Sequence, residues 1–169
     1  DMRNDIIVRG NSPNSIQYRL EGLNIPNPNH LGTTGASGGY YSMLSQNMLS
    51  NSDFLTGAFP AQYGNALGGI FDINYRMGNN EKREYAFTFG FNGIELTEEG
   101  PFASRSKASY LINYRYSTLE AFDLIGVDLG APAVPKYQDL SIKVHVPLKS
   151  GYIKIFGLTG SANIDLKDS

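Results

Sequence analysis

The sequence predicts a mostly β protein in two parts that differ in their pattern. Up to about residue 78, short apolar pieces alternate with turn-forming residues, and one short helix is expected, as in a small α+β domain. Beyond it, alternating apolar and polar residues predict antiparallel strands. The composition agrees with this class, because the 169 residues include 19 Gly, 11 Tyr and 9 Phe.

Charge and cysteine content exclude several classes of function. The net charge of -2 argues against a nucleic-acid surface, which usually carries a basic excess. The chain has no cysteine, so it has neither a disulfide framework nor a thiolate metal site. No stretch approaches the roughly 20 apolar residues of a membrane helix. Since no signal peptide opens the chain and its first residues resemble a strand already under way, we expect an internal piece of a longer protein.

The first part is expected to contain short strands around a long loop. The strands are predicted at 6–8, 18–20, 54–55 and 70–75. Residues 24–39 hold two prolines, several asparagines and four glycines, which predict an ordered loop with little regular structure. Apolar residues at helical spacing predict the short helix at 41–49.

The second part is expected to form about four strands, at 85–92, 109–116, 140–146 and 152–158. In the first of these, Tyr85, Phe87 and Phe89 share one face, and the small or polar residues share the other. Three of the segments approach the length of a transmembrane β-strand, about 9–11 residues. The connections are unequal, long at 119–135 and tight at 149–151, as in barrels with short periplasmic turns and long outer loops.

Alternation alone equally fits a soluble antiparallel sheet whose apolar face lies on a protein core. The abundance of Tyr and Phe favours a membrane barrel slightly, because aromatic residues form girdles at membrane interfaces.

Four motifs follow one another in the first part. They are Val-Arg-Gly-Asn-Ser-Pro at 8–13, Leu-Glu-Gly-Leu-Asn-Ile-Pro at 20–26, Pro-Asn-His-Leu-Gly at 28–32, and the long run at 53–69 that contains Gln-Tyr-Gly-Asn-Ala-Leu-Gly-Gly. This ordered set resembles the plug domain of TonB-dependent receptors, in particular their Bacteroidetes-type branch. The segments 99–102, 109–116 and 137–143 are similar to the first barrel strands and loops of the same family.

The resemblance implies that residues 1–78 are the later part of a plug and residues 79–169 the first strands of a barrel of about 22 strands. The parent protein would import a scarce nutrient across a bacterial outer membrane. Its partners would be outer-membrane lipid, the nutrient, and the inner-membrane TonB energy-transducing complex, which acts through a segment upstream of this chain. Two residues depart from the family pattern: Thr56 stands where many plugs carry Arg before Gly57, and Glu21 stands where Asp is commoner.

The polar loop after residue 23 is the predicted ligand contact, since long ordered loops often carry function. Its candidate residues are Asn24, Asn27, Asn29, His30, Thr33 and Thr34. The alternative is a structural plug loop that packs against the barrel wall.

Two charged residues and five glycines are assigned structural roles. Arg9 and Glu21 are predicted to anchor plug to barrel, the alternative being a solvated pair worth only about 0–1 kcal/mol. Positive φ angles or close backbone approach are predicted for Gly10, Gly22, Gly64, Gly68 and Gly69.

Reactive side chains do not cluster in the sequence. No metal-ligand spacing surrounds His30 or His145, and no carboxylate pair or serine nucleophile motif is present. We therefore expect neither an enzyme nor a metal or other cofactor. The rival to a receptor is a soluble or cell-surface β-sheet module that binds glycan or protein.

Overall fold

A computed structural model describes residues 4–33, 35–39, 41–64, 66–90, 93–103, 107–118 and 133–166. Within these ranges the protein is mostly β, and its helix is one 3₁₀ turn at Pro13–Ser15. The chain divides into two units, Asp1–Arg76 and Met77–Ser169. Phe91 and Asn92, at the end of a predicted strand, and residues 119–132 of the predicted long connection lie outside the described residues.

The first unit contains a four-stranded sheet and a small two-stranded one. The strand bounds in chain order are β1 Ile16–Leu20, β2 Leu23–Ile25, β3 Asn29–His30, β4 Tyr41–Ser42, β5 Asp53–Leu55 and β6 Gly69–Ile73. The larger sheet has the order β2-β1-β6-β5, and β3 pairs with β4. β1 runs parallel to β6, whereas the other pairs are antiparallel. The strands predicted at 18–20, 54–55 and 70–75 are thus confirmed, the last ending at Ile73.

The helix predicted at 41–49 is wrong. Tyr41–Ser42 is a strand, and the Met43 N–H donates to the Pro28 carbonyl at 2.8 Å. The Ser42 and Ser45 hydroxyls accept from the backbone N–H groups two residues on, at 3.1 and 3.0 Å. Such local hydrogen bonds compete with a helical ladder, and only a turn remains at 46–48, after which Leu49 forms a β-bridge with Tyr75.

The strand predicted at 6–8 is also wrong. Ile6 and Ile7 lie outside regular structure and Val8 lies in a bend, and the backbone groups of Ile6 pair with a side chain instead of a neighbouring strand. The Ile6 N–H donates to Ser37 Oγ at 2.8 Å, and that hydroxyl donates to the Ile6 carbonyl at 3.0 Å.

Alternation along β1 and β6 builds the core of the first unit. Leu20 and Ile70 are almost fully buried there. Across three strands, the Phe71 ring stacks on Tyr18 at 5.2 Å and on Phe54 at 4.2 Å between ring centroids. Full burial of a side chain such as Leu20 or Ile70 stabilises the fold by about 1.5–3 kcal/mol.

The second unit is a five-stranded antiparallel sheet in which each strand pairs with the next along the chain. Its strands are β7 Glu84–Gly90, β8 Gly93–Pro101, β9 Ser109–Tyr116, β10 Ala133–Leu148 and β11 Gly151–Leu166. This is one strand more than expected. The sequence pattern missed β8 because Glu98 interrupts its apolar alternation.

Candidate functional site: an outward apolar face and a polar cleft

Along β7 to β10, most apolar side chains of the second unit lie on one side of its sheet, with Leu111 on the other side as an exception. Strand register places Phe87, Leu96, Tyr114 and Leu140 in one row across four strands. These side chains are exposed, Phe87 to 65% and Leu140 to 41%. The more exposed side of the sheet is therefore its aromatic and aliphatic side.

The opposite side of this sheet carries a polar network. Arg115 lies directly opposite Asp139, and their guanidinium and carboxylate atoms are 2.6 Å apart. Asn113 Nδ2 donates to Glu95 Oε1 at 2.6 Å and to Thr97 Oγ1 at 2.8 Å. Asp139 and Asn113 are almost fully buried. This arrangement is the reverse of a water-soluble sheet, in which the apolar side is the covered one.

One carboxylate interrupts the apolar side, near the end of β8. Register places Glu98 between Tyr85 and Ile112 on that side. The Tyr110 hydroxyl donates to Glu98 Oε1 at 2.7 Å, and the Tyr110 ring lies 5.4 Å from that of Phe102. An aromatic cluster thus surrounds the carboxylate where the strand ends.

A cleft of about 580 Å³ lies in the first unit, between β1, β2 and the loop that follows β2. Four of the six predicted ligand residues line it: Asn24, Asn27, Asn29 and Thr33. Asn14 and Gln17 line it as well. Sequence reasoning missed these two because they precede the loop, and only the β1–β2 hairpin brings them to it.

Asn27 holds the loop of the cleft in place. Its Nδ2 donates to the carbonyls of Ala36 and Gly38 at 3.1 and 2.7 Å. Its Oδ1 accepts from the N–H and the side-chain amide of Asn29 at 3.2 and 2.6 Å. The side chain of Asn27 is thus occupied by the loop itself, as in the structural alternative, whereas its neighbours line the open cleft.

Residues 4–5, at the start of the described chain, contact residues 37–38 at the far end of this loop. Asp5 Oδ1 accepts from the N–H groups of Ser37 and Gly38 at 3.0 and 3.3 Å. The Tyr18 hydroxyl donates to the Ser37 carbonyl. A Cβ at Gly38 would overlap the Asn4 carbonyl oxygen, so the two backbones touch. Burial, and secondarily the Asp5 carboxylate, raises the pKa of Tyr18 above its ordinary value of 10.0.

The remaining predicted ligand residues do not line the cleft in the described part of the chain. His30 is buried in β3, opposite Tyr41 of β4. Thr34 lies outside the described residues.

Arg9 and Glu21 occupy equivalent positions in two tight turns. Each has a positive φ, 52° and 53°, and each is followed by a glycine with positive φ. Two successive positive φ angles are typical of a type I′ turn, in which Asn, Asp or Gly is preferred. Glu21 Oε1 accepts from the Tyr75 N–H at 2.7 Å. Arg9 is exposed, with its guanidinium against Gly57. The anchoring role of both stays a prediction.

The five singled-out glycines differ in their surroundings. Gly10 and Gly22 supply the second positive φ of these turns, 74° and 87°. A Cβ at Gly68 would overlap the Ser15 hydroxyl, and one at Gly69 would lie 3.0 Å from the Phe54 ring. Gly64 has neither a positive φ nor a close neighbour.

Metal-ligating side chains do not gather in groups of three or more within the described ranges. Across the same residues, no helix is long and apolar enough to cross a membrane. Comparison of the chain with protein-family models, with curated proteins and with solved structures finds no match.

Proposed function

We propose that this chain is part of a TonB-dependent outer-membrane receptor, which binds a scarce nutrient and imports it actively. Residues 79–169 would contribute the first strands of the barrel wall, and residues 1–78 the plug that gates its lumen. The observation that carries the proposal is the outward apolar side of the sheet β7–β11.

Lipid is the environment in which such a sheet is stable. Apolar side chains that face water lose roughly 25 cal/mol for each Å² left unburied. Facing acyl chains, the row from Phe87 to Leu140 is solvated without a protein core. The strands of outer-membrane barrels alternate in this way, apolar toward lipid and polar toward the lumen. The Arg115–Asp139 pair and the Asn113 network then belong to the lumenal side.

Backbone hydrogen bonding sets a further requirement. In lipid every N–H and C=O group needs a partner, so a spanning sheet has to close on itself. The smallest barrels need about eight strands. The five described strands therefore act together with further strands, and they do not transport on their own.

The first unit fits the plug role through its ordered motifs and its cleft. Loops held by side chains, as Asn27 and Asp5 hold residues 36–38, can rearrange without the loss of a sheet. The nutrient would bind from outside, and the TonB complex would pull from the periplasm through a segment upstream of this chain. No reactive cluster among the described residues supports a catalytic step.

Spin labels on neighbouring residues test the proposal. Phe87→Cys and Thr88→Cys lie on the same strand, and both side chains are exposed, but they point to opposite sides of the sheet. In the full-length protein in outer-membrane vesicles, we expect the Phe87→Cys label to be relaxed by oxygen, which concentrates in lipid. The Thr88→Cys label should be relaxed preferentially by a water-soluble nickel chelate.

Strong relaxation of the Phe87→Cys label by the nickel chelate, with the protein recovered in the soluble fraction, would overturn the proposal. That result would favour the soluble or cell-surface binding module.

A further inference from the structure

We propose that the cleft of the first unit binds a neutral, hydroxyl-rich ligand, an oligosaccharide. This inference rests on the proposed function and names its substrate class. Three observations support it: the side-chain amides that line the cleft, the exposure of two of them, and the apolar side chains and volume of the cleft.

Among the described residues, the cleft is lined by five side-chain amides and by no charged side chain. An amide carries both a donor and an acceptor, which matches the sugar hydroxyl, itself a donor and an acceptor. An anionic iron chelate or a phosphorylated ligand would call for arginine or lysine, since charge-assisted pairs recognise such groups best. Neither residue type is present among the lining residues.

Two of these amides are available to a ligand. Asn14 and Asn24 are exposed, and within the described part of the chain their side chains make no hydrogen bond. Asn29 uses its Nδ2 toward Asn27, which fixes its orientation. Because Asn27 is itself held by two backbone carbonyls, the Asn29 amide is preorganised at the cleft.

Apolar side chains complete the match to a sugar. Ile16, Ile25 and Pro26 also line the cleft. A pyranose presents hydroxyls at its edge and C–H groups on its faces, so a wall of this kind covers both. The volume of about 580 Å³ lies within the range of sites that bury a small organic ligand, about 300–1,000 Å³.

A peptide fits the cleft less well. Extended peptides usually bind by adding a strand to a free sheet edge. The strand at this edge, β2, has three residues, which offer few main-chain hydrogen bonds. Hydroxyl recognition by separate amides does not need such an edge.

Calorimetric titration of the full-length protein in detergent tests the ligand class. The probes are the neutral trisaccharides maltotriose, cellotriose, xylotriose and mannotriose, with ferric citrate and tetra-alanine as an anionic chelate and a peptide. We expect at least one trisaccharide to bind. Asn14→Ala and Asn24→Ala should each weaken that binding by roughly five- to tenfold, as expected for the loss of one hydrogen bond.

Asn51→Ala is the matched control, because Asn51 is an exposed asparagine of the same unit that does not line the cleft. It should leave the affinity within a factor of two. The inference is overturned if no trisaccharide binds, if the cleft variants behave as the control does, or if ferric citrate or tetra-alanine binds in a way that depends on Asn14 and Asn24. Any of these results, together with lipid exposure of the Phe87→Cys label, removes the ligand class and leaves the receptor proposal standing.

Discussion

Both units contain strands with alternating apolar and polar residues, but they bury opposite sides of those strands. In the first unit, Leu20 and Ile70 point into a core, and polar side chains tie down the loops. In the second unit, Phe87 and Leu140 point outward, and the ion pair of Arg115 with Asp139 lies on the other side of the sheet. The first unit thus buries its apolar side chains in a core, whereas the second leaves an apolar side exposed, as the proposed function requires.

The difference teaches that alternation gives the period of a strand but not the side on which its solvent lies. The same period-2 pattern is produced by a soluble sheet and by a barrel strand. What separates them is the condition of the polar side. In the second unit that side holds paired charges and amides at hydrogen-bond distance, as a buried polar surface requires.

The largest effect is expected where the polar side of the second unit loses one partner of its ion pair. Asp139→Ala removes the carboxylate that pairs with Arg115, whose side chain is only 17% exposed, while Glu95 still lies opposite Arg115 on β8. Removal of one partner of a buried pair typically costs about 3–5 kcal/mol when the other charge is left uncompensated. Because Glu95 remains, the free energy of unfolding, measured in urea for the full-length protein in detergent, should fall by an amount at the lower end of that range, about 3 kcal/mol.

Lys82→Ala is the control, since it removes the exposed Lys82–Glu84 pair of the same unit. Its expected cost is small, because water and salt screen an exposed pair. Equal losses in the free energy of unfolding for the two variants would mean that the polar side is open to water. That result would contradict the difference drawn between the two units.

A smaller effect is expected in the first unit, where residues 4–5 contact residues 37–38. Gly38→Ala places a methyl group on the Asn4 carbonyl, so the two backbones have to separate. Overpacking of this kind costs about 1–3 kcal/mol. We expect faster hydrogen exchange at the Ser37 and Gly38 amides, which donate to Asp5.

Gly64→Ala gives the matched comparison, because a Cβ there meets no atom within 4 Å and needs no positive φ. Its effect should stay within about 0.5 kcal/mol. If Gly38→Ala exchanged no faster than Gly64→Ala, the close contact between the two backbones would be refuted.

The smallest effect concerns Tyr18, which donates to the same segment. Since folding raises the pKa of Tyr18 above 10.0, the unfolded chain releases this proton at a lower pH than the folded protein does. The free energy of unfolding should therefore decrease as the pH rises above about 10, until the folded pKa is reached. Below pH 10, Tyr18→Phe should cost about 1 kcal/mol for the lost hydrogen bond.

Urea unfolding of the full-length protein from pH 8 to pH 11 measures both quantities. Tyr18→Phe should flatten the part of the slope that Tyr18 contributes. An unchanged slope would show that this phenol is as accessible in the folded unit as in the unfolded chain.

Strands were predictable from the sequence where the alternation of neighbouring side chains determines them. The aromatic alternation around Phe87 and the Tyr-rich segment of β9 were both identified as strands, because period-2 patterning is set locally. Strand β8 was not identified, since Glu98 lies on its apolar side and is accommodated there by Tyr110 from the next strand. Tyr110 lies 12 positions further along the chain, so the residues next to Glu98 do not indicate this partner.

Irregular structure was harder to predict, because its hydrogen bonds join distant residues. Nothing around Ile6 indicates that Ser37 replaces a neighbouring strand. The polar loop after β2 was predicted as the ligand contact, which stays a prediction, although four of its six candidate residues line the cleft. Asn14, which precedes β1, was missed. The preference for Asn in a type I′ turn does indicate why a residue such as Glu21 is unusual there.

The order of the strands has a kinetic consequence. In the second unit every strand pairs with its neighbour along the chain, so the sheet can grow one hairpin at a time. In the first unit, β1 meets β6 only after Ile16 has found Gly69, 53 positions further on. Closing a loop of that length costs conformational entropy before the strand contacts form and stabilise it. Folding rates therefore fall as the sequence separation between contacting residues grows. The parallel pair β1–β6 should therefore limit the rate at which the first unit forms, while the sheet of the second unit can grow by pairing consecutive strands.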